Sequence, residues 1–453
     1  MSRQLFTQIA CKQVASMFLS AEREISMNFA SLDLAPELQQ AIDACGYKKM
    51  TPIQQQAIVI ARRGRDVLAS AQTGTGKTAA FAVPILQQIL DKPKTTAPGM
   101  PRVVILTPTR ELAEQLATNI AGYAQFTDIS VLALYGGVKL GGQASKLKAG
   151  VDIVISTPGR LLEHMTLKNV GLAKVEFVVL DEADRMLDMG FIADVRQMLA
   201  QITSAHQTLL FSATISPTVN ELAHKLLKNH QEIRATQLNS AADTVQHVMY
   251  PVAEEDKIRL FKTLLAEQNW YQVLVFTSTK EQADKLMAAL KTSKIDAAVC
   301  HADKSQGARR RAIADFKSAK LQVLIATEVA ARGLDIQGLD HVVNYNLPYL
   351  PEDYVHRIGR TGRAGQQGNA ISFVSREEER TVERIERLIN CKIKRISRPD
   401  FAFSSRESLL KTVRKHSKNS RTNKVSQTVI RMDKTTGAKV KPKAKPKAKR
   451  PSK

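Results

Sequence analysis

The stretch Val67-Leu-Ala-Ser-Ala-Gln-Thr-Gly-Thr-Gly-Lys-Thr78 constrains the chain most. An apolar, β-prone run enters a glycine-rich turn, Lys77 and Thr78 follow, and a helical pattern runs from Ala79 to Leu90. Strand, loop and helix in that order make a phosphate-binding loop. Gly74 and Gly76 let backbone N–H groups face inward, and with the helix N-terminus they cradle anionic oxygens. Ala71, Gln72, Thr73 and Thr75 complete the loop, with Ala71 where the strict pattern has its first glycine. Lys77 brings a point charge to the β- and γ-phosphates, and Thr78 brings a hydroxyl to Mg²⁺.

After this loop, short apolar runs recur at Val103–Leu106, Ile153–Ile155, Phe177–Leu180 and Thr208–Phe211, with helical pattern between them. Buried parallel strands read this way. Polar clusters follow each run: Thr107-Pro-Thr-Arg-Glu-Leu112, Thr157-Pro-Gly-Arg160, Asp181-Glu-Ala-Asp184 and Ser212-Ala-Thr214. Ligands of open α/β sheets bind beyond the carboxyl ends of the strands, so these clusters belong to one functional rim. A carboxylate at Asp181, opposite Thr78, suits Mg²⁺, and Glu182 beside it suits the orientation of an attacking water. Upstream, Gln54 carries a carboxamide that matches the adenine N6/N7 edge, and Phe29 and Tyr47 offer flat rings for stacking.

A second series of runs, Val273–Phe276, Ala297–Val299, Val323–Ala326, Val342–Tyr345 and Ala370–Val374, predicts another parallel sheet without a phosphate loop of its own. It carries His356-Arg-Ile-Gly-Arg-Thr-Gly-Arg363, whose arginines suit a triphosphate bound by the first sheet. The fold class expected is therefore α/β: two tandem RecA-like domains with a disordered basic C-terminal tail. The boundaries expected are an N-terminal extension at 1–26, a first domain at 27–235, a linker at 236–246, a second domain at 247–395 and a tail at 396–453.

Charge supports the last division. The formal net charge is +23, and residues 391–453 hold 21 Lys and Arg against 3 Asp and Glu. Lys441-Pro-Lys-Ala-Lys-Pro-Lys-Ala-Lys-Arg450 has no apolar face to bury, so the tail reads as a solvated polycation suited to a polyanion. Cys11, Cys45, Cys300 and Cys391 show neither zinc nor disulfide spacing, which fits a reducing compartment.

Taken together, these residues resemble a DEAD-box RNA helicase of the bacterial RhlE-type subgroup. The resemblance runs over residues 27–395 and rests on Gly46-Tyr47 with Thr51–Gln54, Ala69–Thr78, Pro108–Leu112, Gly136-Gly137, Thr157–Arg160, Asp181–Asp184 and Ser212–Thr214. In the second domain it rests on Val275–Thr279, Gln306 to Arg309, Ala326–Ile336 and His356–Arg363. It implies ATP- and Mg²⁺-dependent local unwinding of RNA in the cytoplasm, with ribosomal or RNA-decay complexes as possible company. Phe29 and Gln54 would hold adenine, and Lys77, Thr78, Asp181 and Glu182 would serve hydrolysis. Gly333 and Asp335 would touch the nucleotide from the second domain. Arg360 and Arg363 would reach the γ-phosphate, with His356 and Gln306 nearby. Asp184 would link to Ser212 and Thr214 to couple the two activities. Arg110, Gly137, Thr157, Arg160, Arg309 and Thr327 would line the RNA path. Glu328 stands where the family usually has Asp, and Ala302 where glycine is common. A DNA-directed superfamily 2 helicase and an RNA chaperone acting through its tail are the alternatives.

Overall fold

Short apolar strands with polar ends assemble here into two sheets of one design. The computed structural model describes residues 27–71, 74–234, 245–331, 336, 338–362 and 367–401. The first sheet comprises β1 (Val67–Ser70), β2 (Val103–Leu106), β3 (Val131–Leu134), β4 (Ile153–Ser156), β5 (Phe177–Leu180), β6 (Gln207–Ser212) and β7 (Gln231–Arg234). The second comprises β8 (Val245–Pro251), β9 (Val273–Thr277), β10 (Ala297–Cys300), β11 (Val323–Thr327), β12 (His341–Asn344), β13 (Gly368–Val374) and β14 (Lys394–Arg395). Their orders are β3-β4-β2-β5-β6-β1-β7 and β10-β11-β9-β12-β13-β8-β14. Shifting each label of the first by seven gives the second, so both lobes have one topology. All the pairings are parallel.

Parallel strands are covered on both faces, which explains runs with no polar alternation. In β2, Val103 and Ile105 join the apolar layer that holds Phe81 and Phe211, while Val104 and Leu106 join the layer that holds Met186 and Val219. In the second lobe, Phe373 packs edge-on to Tyr250, Phe261 and Tyr345. Among the described residues no helix is long and apolar enough to cross a membrane.

The structure adds strands that the apolar runs did not reveal. β7 buries one residue of four and β14 buries neither of its two, so their polar edges hide them. β8 opens at Val245, inside the expected linker, and pairs from that residue with Gly368 of β13. Residue 235 at the end of the expected first domain, residues 236–244 of that linker, the 1–26 extension and residues 402–453 of the tail lie outside the described residues.

The expected start of the tail at 396 is corrected. Ile396 N–H donates to Met249 O at 2.8 Å. Arg398 forms a two-point pair with Glu267 at 2.7 and 2.8 Å. Phe401 is 5% exposed within the second lobe's core, with the Arg259 guanidinium 4.4 Å over its ring. Basic composition concealed this anchor because one aromatic carries it. A chain ending at Phe401 should therefore keep the parental urea midpoint of the second lobe, read through the single, buried Trp270. A chain ending at Arg395 should lose about 3–5 kcal/mol, the cost of removing a buried Phe side chain. Equal midpoints would show that Phe401 anchors nothing.

Candidate active site

Strand order sorts the polar clusters before any side chain is considered. Phosphate loop, Asp181 and Ser212 follow or close β1, β5 and β6, which are neighbours. Gly136-Gly137, Thr157 and Arg110 follow β3, β4 and β2, also neighbours. With strands about 4.8 Å apart, the carboxyl rim divides into two halves side by side. The second lobe repeats the division. Gln306, Arg309 and Thr327 fall with β10 and β11, whereas His356 and Arg360 follow β12.

On the first half, Gly74 and Gly76 have φ of 84° and 90°, the left-handed turn that opens the helix Lys77–Asp91. Ala71 is absent from the positive-φ positions, so its methyl is accepted where the strict pattern has glycine. Its N–H donates to Ser212 O at 3.0 Å, tying the loop to β6. Lys77 is 7% exposed, lies 4.0 Å from Asp181 Oδ1, and its Nζ has no hydrogen-bond partner among the described residues. Glu182 Oε2 is likewise buried without a partner, on a residue held at φ 56°. Burial pushes the Asp181 and Glu182 carboxyls upward from their ordinary pKa, against the pull of Lys77. A buried cation and two desolvated carboxyls facing one another suit a metal-bound polyphosphate, which supplies both missing charges. Thr78 and Asp181 would hold the Mg²⁺. Among the described residues no group of three His, Cys, Asp or Glu forms a protein-only metal cage, and Mg²⁺ in such sites takes its remaining ligands from phosphate and water.

Asp184 Oδ2 accepts from Ala213 N, Thr214 N and Thr214 Oγ1 at 3.1, 3.1 and 3.2 Å. Ser212 joins indirectly, its hydroxyl donating to Thr214 O at 2.7 Å. Gln54 is 3% exposed, and both ends of its amide are engaged. Its Oε1 accepts from Thr51 N at 2.8 Å and its Nε2 donates to Gly76 O at 3.1 Å. The residue expected to meet adenine thus also braces the phosphate loop. Phe29 does not display the open face expected of it: it is 1% exposed and stacked on Tyr47.

On the other half, the Arg110 guanidinium lies so close over Gly136 and Gly137 that a Cβ at Gly137 would collide with it. Thr157 stands at the N-cap position of the next helix without a side-chain capping bond, and Thr327 ends β11 half-buried. Arg160, expected on the RNA path, is buried against its own lobe: its Nε and Nη2 donate to Tyr135 O and Val138 O at 2.9 and 2.6 Å, and Nη1 pairs with Glu163 at 3.0 Å. Three of its five N–H donors thus shape the loop carrying Gly137. Gln306 is also relocated. Its Nε2 donates to Glu111 Oε1 at 3.2 Å, and Arg309 pairs with the same oxygen at 2.8 Å, so it sits with the Arg110 cluster. Glu111, which joins the lobes here, went unnoticed in the sequence because a Glu in a first helical turn is ordinary.

The lobes also meet on the phosphate half. Arg185, next to Asp184, pairs with Asp353 in the helix Pro351–Ile358. His356 is mostly buried, and its Nδ1 lies 3.9 Å from Asp353. Arg360 is buried, with its carbonyl accepting from Leu339 N at 3.1 Å. Glu328 pairs with Arg357 at 2.6 Å, so the longer acid still reaches its partner. Gln72, Thr73, Gly333, Asp335 and Arg363 lie outside the described residues.

Comparison with known proteins agrees with this division. Residues 51–222 match the DEAD/DEAH box helicase family and residues 256–365 the helicase conserved C-terminal domain. The chain is 40% identical over 376 residues to the ATP-dependent RNA helicase RhlB of Pseudomonas syringae pv. tomato, covering 82% of this chain and 95% of that protein. It is 39% identical over 375 residues to the DEAD-box ATP-dependent RNA helicase CshA of Bacillus subtilis, covering 83% and 75%. Among solved structures, S. cerevisiae Dbp5 bound to RNA and ADP BeF3 aligns with a TM-score of 0.74 at 31% identity, covering 86% of this chain and 99% of that one. The DEAD-box helicase Mss116 bound to ssRNA and UDP-BeF aligns at 0.73 and 27% identity, covering 85% and 81%. With each lobe matched in turn and nearly the whole of RhlB aligned, the chain belongs to the DEAD-box family of ATP-dependent RNA helicases.

Proposed function

We propose that this protein hydrolyses ATP between its lobes and uses their closure to part a few base pairs of duplex RNA. The observation that carries the reading is the buried Lys77 ammonium, without a hydrogen-bond partner among the described residues and facing Asp181 and Glu182. Lys77 holds the β- and γ-phosphates, Glu182 orients the attacking water, and Arg360 and Arg363 approach the γ-phosphate from the other lobe. Gln54, which braces the phosphate loop, meets adenine beside it, and Gly333 and Asp335 close over the nucleotide. Thr78 and Asp181 would hold Mg²⁺, which would neutralise charge on the phosphates when bound. Arg110, Gly137, Thr157, Arg309 and Thr327 follow one RNA strand along its backbone, which gives little sequence preference. A strand bent to this path cannot remain in regular duplex. The first lobe then spans 27–235 and the second 245–401, with the RhlE-type subgroup resting on motif resemblance. A cytoplasmic enzyme of ribosome assembly or RNA decay is the role that the motif resemblance supports.

The direct test is strand displacement. The parental protein with ATP should release one strand of a short RNA duplex. Glu182→Gln keeps the volume but loses the charge, so it should bind ATP and RNA yet release no strand beyond one turnover. Parental hydrolysis by this variant would remove Glu182 from its role.

A second outcome follows from the loop geometry. Gly76 has φ 90°, and an added Cβ would strike the Gln54 amide. Gly76→Ala should weaken binding of a fluorescent ATP analogue by about tenfold or more, since backbone strain of this kind costs roughly 1–3 kcal/mol before the clash. Unchanged affinity would mean that the loop can be rebuilt without Gly76.

The tail from residue 402 onward acts as an electrostatic tether. Each phosphate neutralised on single-stranded RNA contributes about −0.7 to the slope of log K against log salt. If roughly five charges engage, deleting 402–453 should flatten that slope by about 3–4 units while sparing hydrolysis at saturating RNA. An unchanged slope would rule the tether out.

A further inference from the structure

Arg185 and Asp353 form an ion pair across the cleft, and none of the ligand-binding roles above uses either residue. Their side chains are 5% and 8% exposed. Burial changes what such a pair can do. An exposed pair is loosely held and contributes little. A buried one is demanding, because either charge left alone in the same place costs far more than the pair returns. With the lobes apart, both charges regain water. The pair therefore distinguishes the closed arrangement from any partly closed one.

Each partner is already fixed within its own lobe. Arg185 Nη1 also lies 3.3 Å from Asp188 Oδ2, which holds the guanidinium along the helix Ala183–Asp188. Asp184 and Glu328 add to the negative field around it. Asp353 stands in the first turn of the helix Pro351–Ile358. Four residues on, Arg357 binds Glu328 at 2.6 Å, Asn344 Oδ1 at 3.1 Å and Asn346 O at 2.7 Å. That helix cannot tilt alone, because Arg357 ties it to the ends of β11 and β12. It also carries His356 and leads directly into Arg360.

On the first lobe the neighbouring residue matters equally. Asp184 grips the backbone and hydroxyl of Thr214 at the end of β6, while Arg185 reaches the other lobe. One peptide bond joins a contact made within the lobe to a contact made only on closure. The RNA-half contacts of Glu111 with Gln306 and Arg309 close the same cleft, but they include residues assigned to the RNA path. Arg310 with Glu114 is half-exposed at 52% on the arginine side.

We infer that Arg185 and Asp353 are positioning residues, whose pairing sets the helix bearing His356 and Arg360 against the Asp181–Asp184 segment and so links nucleotide binding to RNA binding. The inference rests on the two-lobe ATP site proposed above. Its signature is linkage: a non-hydrolysable ATP analogue should tighten RNA binding, and the pair should supply part of that factor.

The experiment compares RNA affinity with and without such an analogue in the full chain for Arg185→Gln, Asp353→Asn, the double variant and Arg185→Lys. Each neutralising variant should cut the tightening factor by about tenfold or more, as expected when one member of a buried charge pair is removed. The double variant should lose no more than the worse single one. Arg185→Lys, which keeps the charge, should recover part of the factor. Affinity without nucleotide should stay parental, because the pair touches neither ligand; a folding defect would lower both. Parental tightening in the single variants, or a double loss equal to the product of the single losses, would overturn the inference alone. Absence of tightening in the parental protein would overturn the two-lobe site and this inference with it.

Discussion

A buried ammonium without a hydrogen-bond partner is unstable until an anion arrives, and the rest of the molecule is arranged around that deficiency. Lys77 sits where the glycine turn becomes a helix, so its charge and the helix N-terminus add in one direction. The opposing carboxyls do not fully answer it. Asp181 Oδ1 lies at 4.0 Å, beyond hydrogen-bond reach, and burial works against the ionised form of both Asp181 and Glu182. A polyphosphate would bring negative charge to Lys77, and a divalent ion held by Thr78 and Asp181 would bring positive charge to the carboxyls. Nucleotide binding is then favoured because it resolves two desolvation penalties at once.

Only a repeated topology could place the second half of the site so simply. Both sheets run through the same order, and their carboxyl rims face across the cleft. The contacts keep register. Arg185 after β5 meets Asp353 after β12, and Glu111 after β2 meets Gln306 and Arg309 after β10. The half with the phosphate loop lies on the half with His356, and the half with Arg110 lies on the half with Arg309. Two such contacts close one cleft, so occupancy of either half favours the arrangement that the other requires.

Much of this was legible in the chain. The phosphate loop announced itself because Gly, Lys and Thr are each needed at one place. Most central strands are legible because burial on both faces leaves unbroken apolar runs, whereas β8, inside the second sheet, alternates buried and more exposed residues and leaves none. Edge strands β7 and β14 were hidden by the same rule, since an edge can be polar. The family resemblance places Arg160 and Gln306 by motif, but what a donor does depends on the acceptors that surround it, and those come from distant segments. Arg160 donates to Tyr135 O and Val138 O, and the Gln306 Nε2 donates to Glu111. Phe401 was missed because a single aromatic in a basic stretch leaves no period. Arg185 was passed over beside Asp184 because its partner is 168 residues further on.

The split site has one consequence that a single-lobe nucleotidase would not share. RNA that engages both lobes should complete the arrangement that hydrolyses ATP. Steady-state hydrolysis by the full chain, measured at saturating ATP with and without single-stranded RNA, reads this directly. RNA should raise the rate severalfold or more, and the stimulation should saturate as the RNA site fills. The same rate with and without RNA would contradict a site assembled by closure.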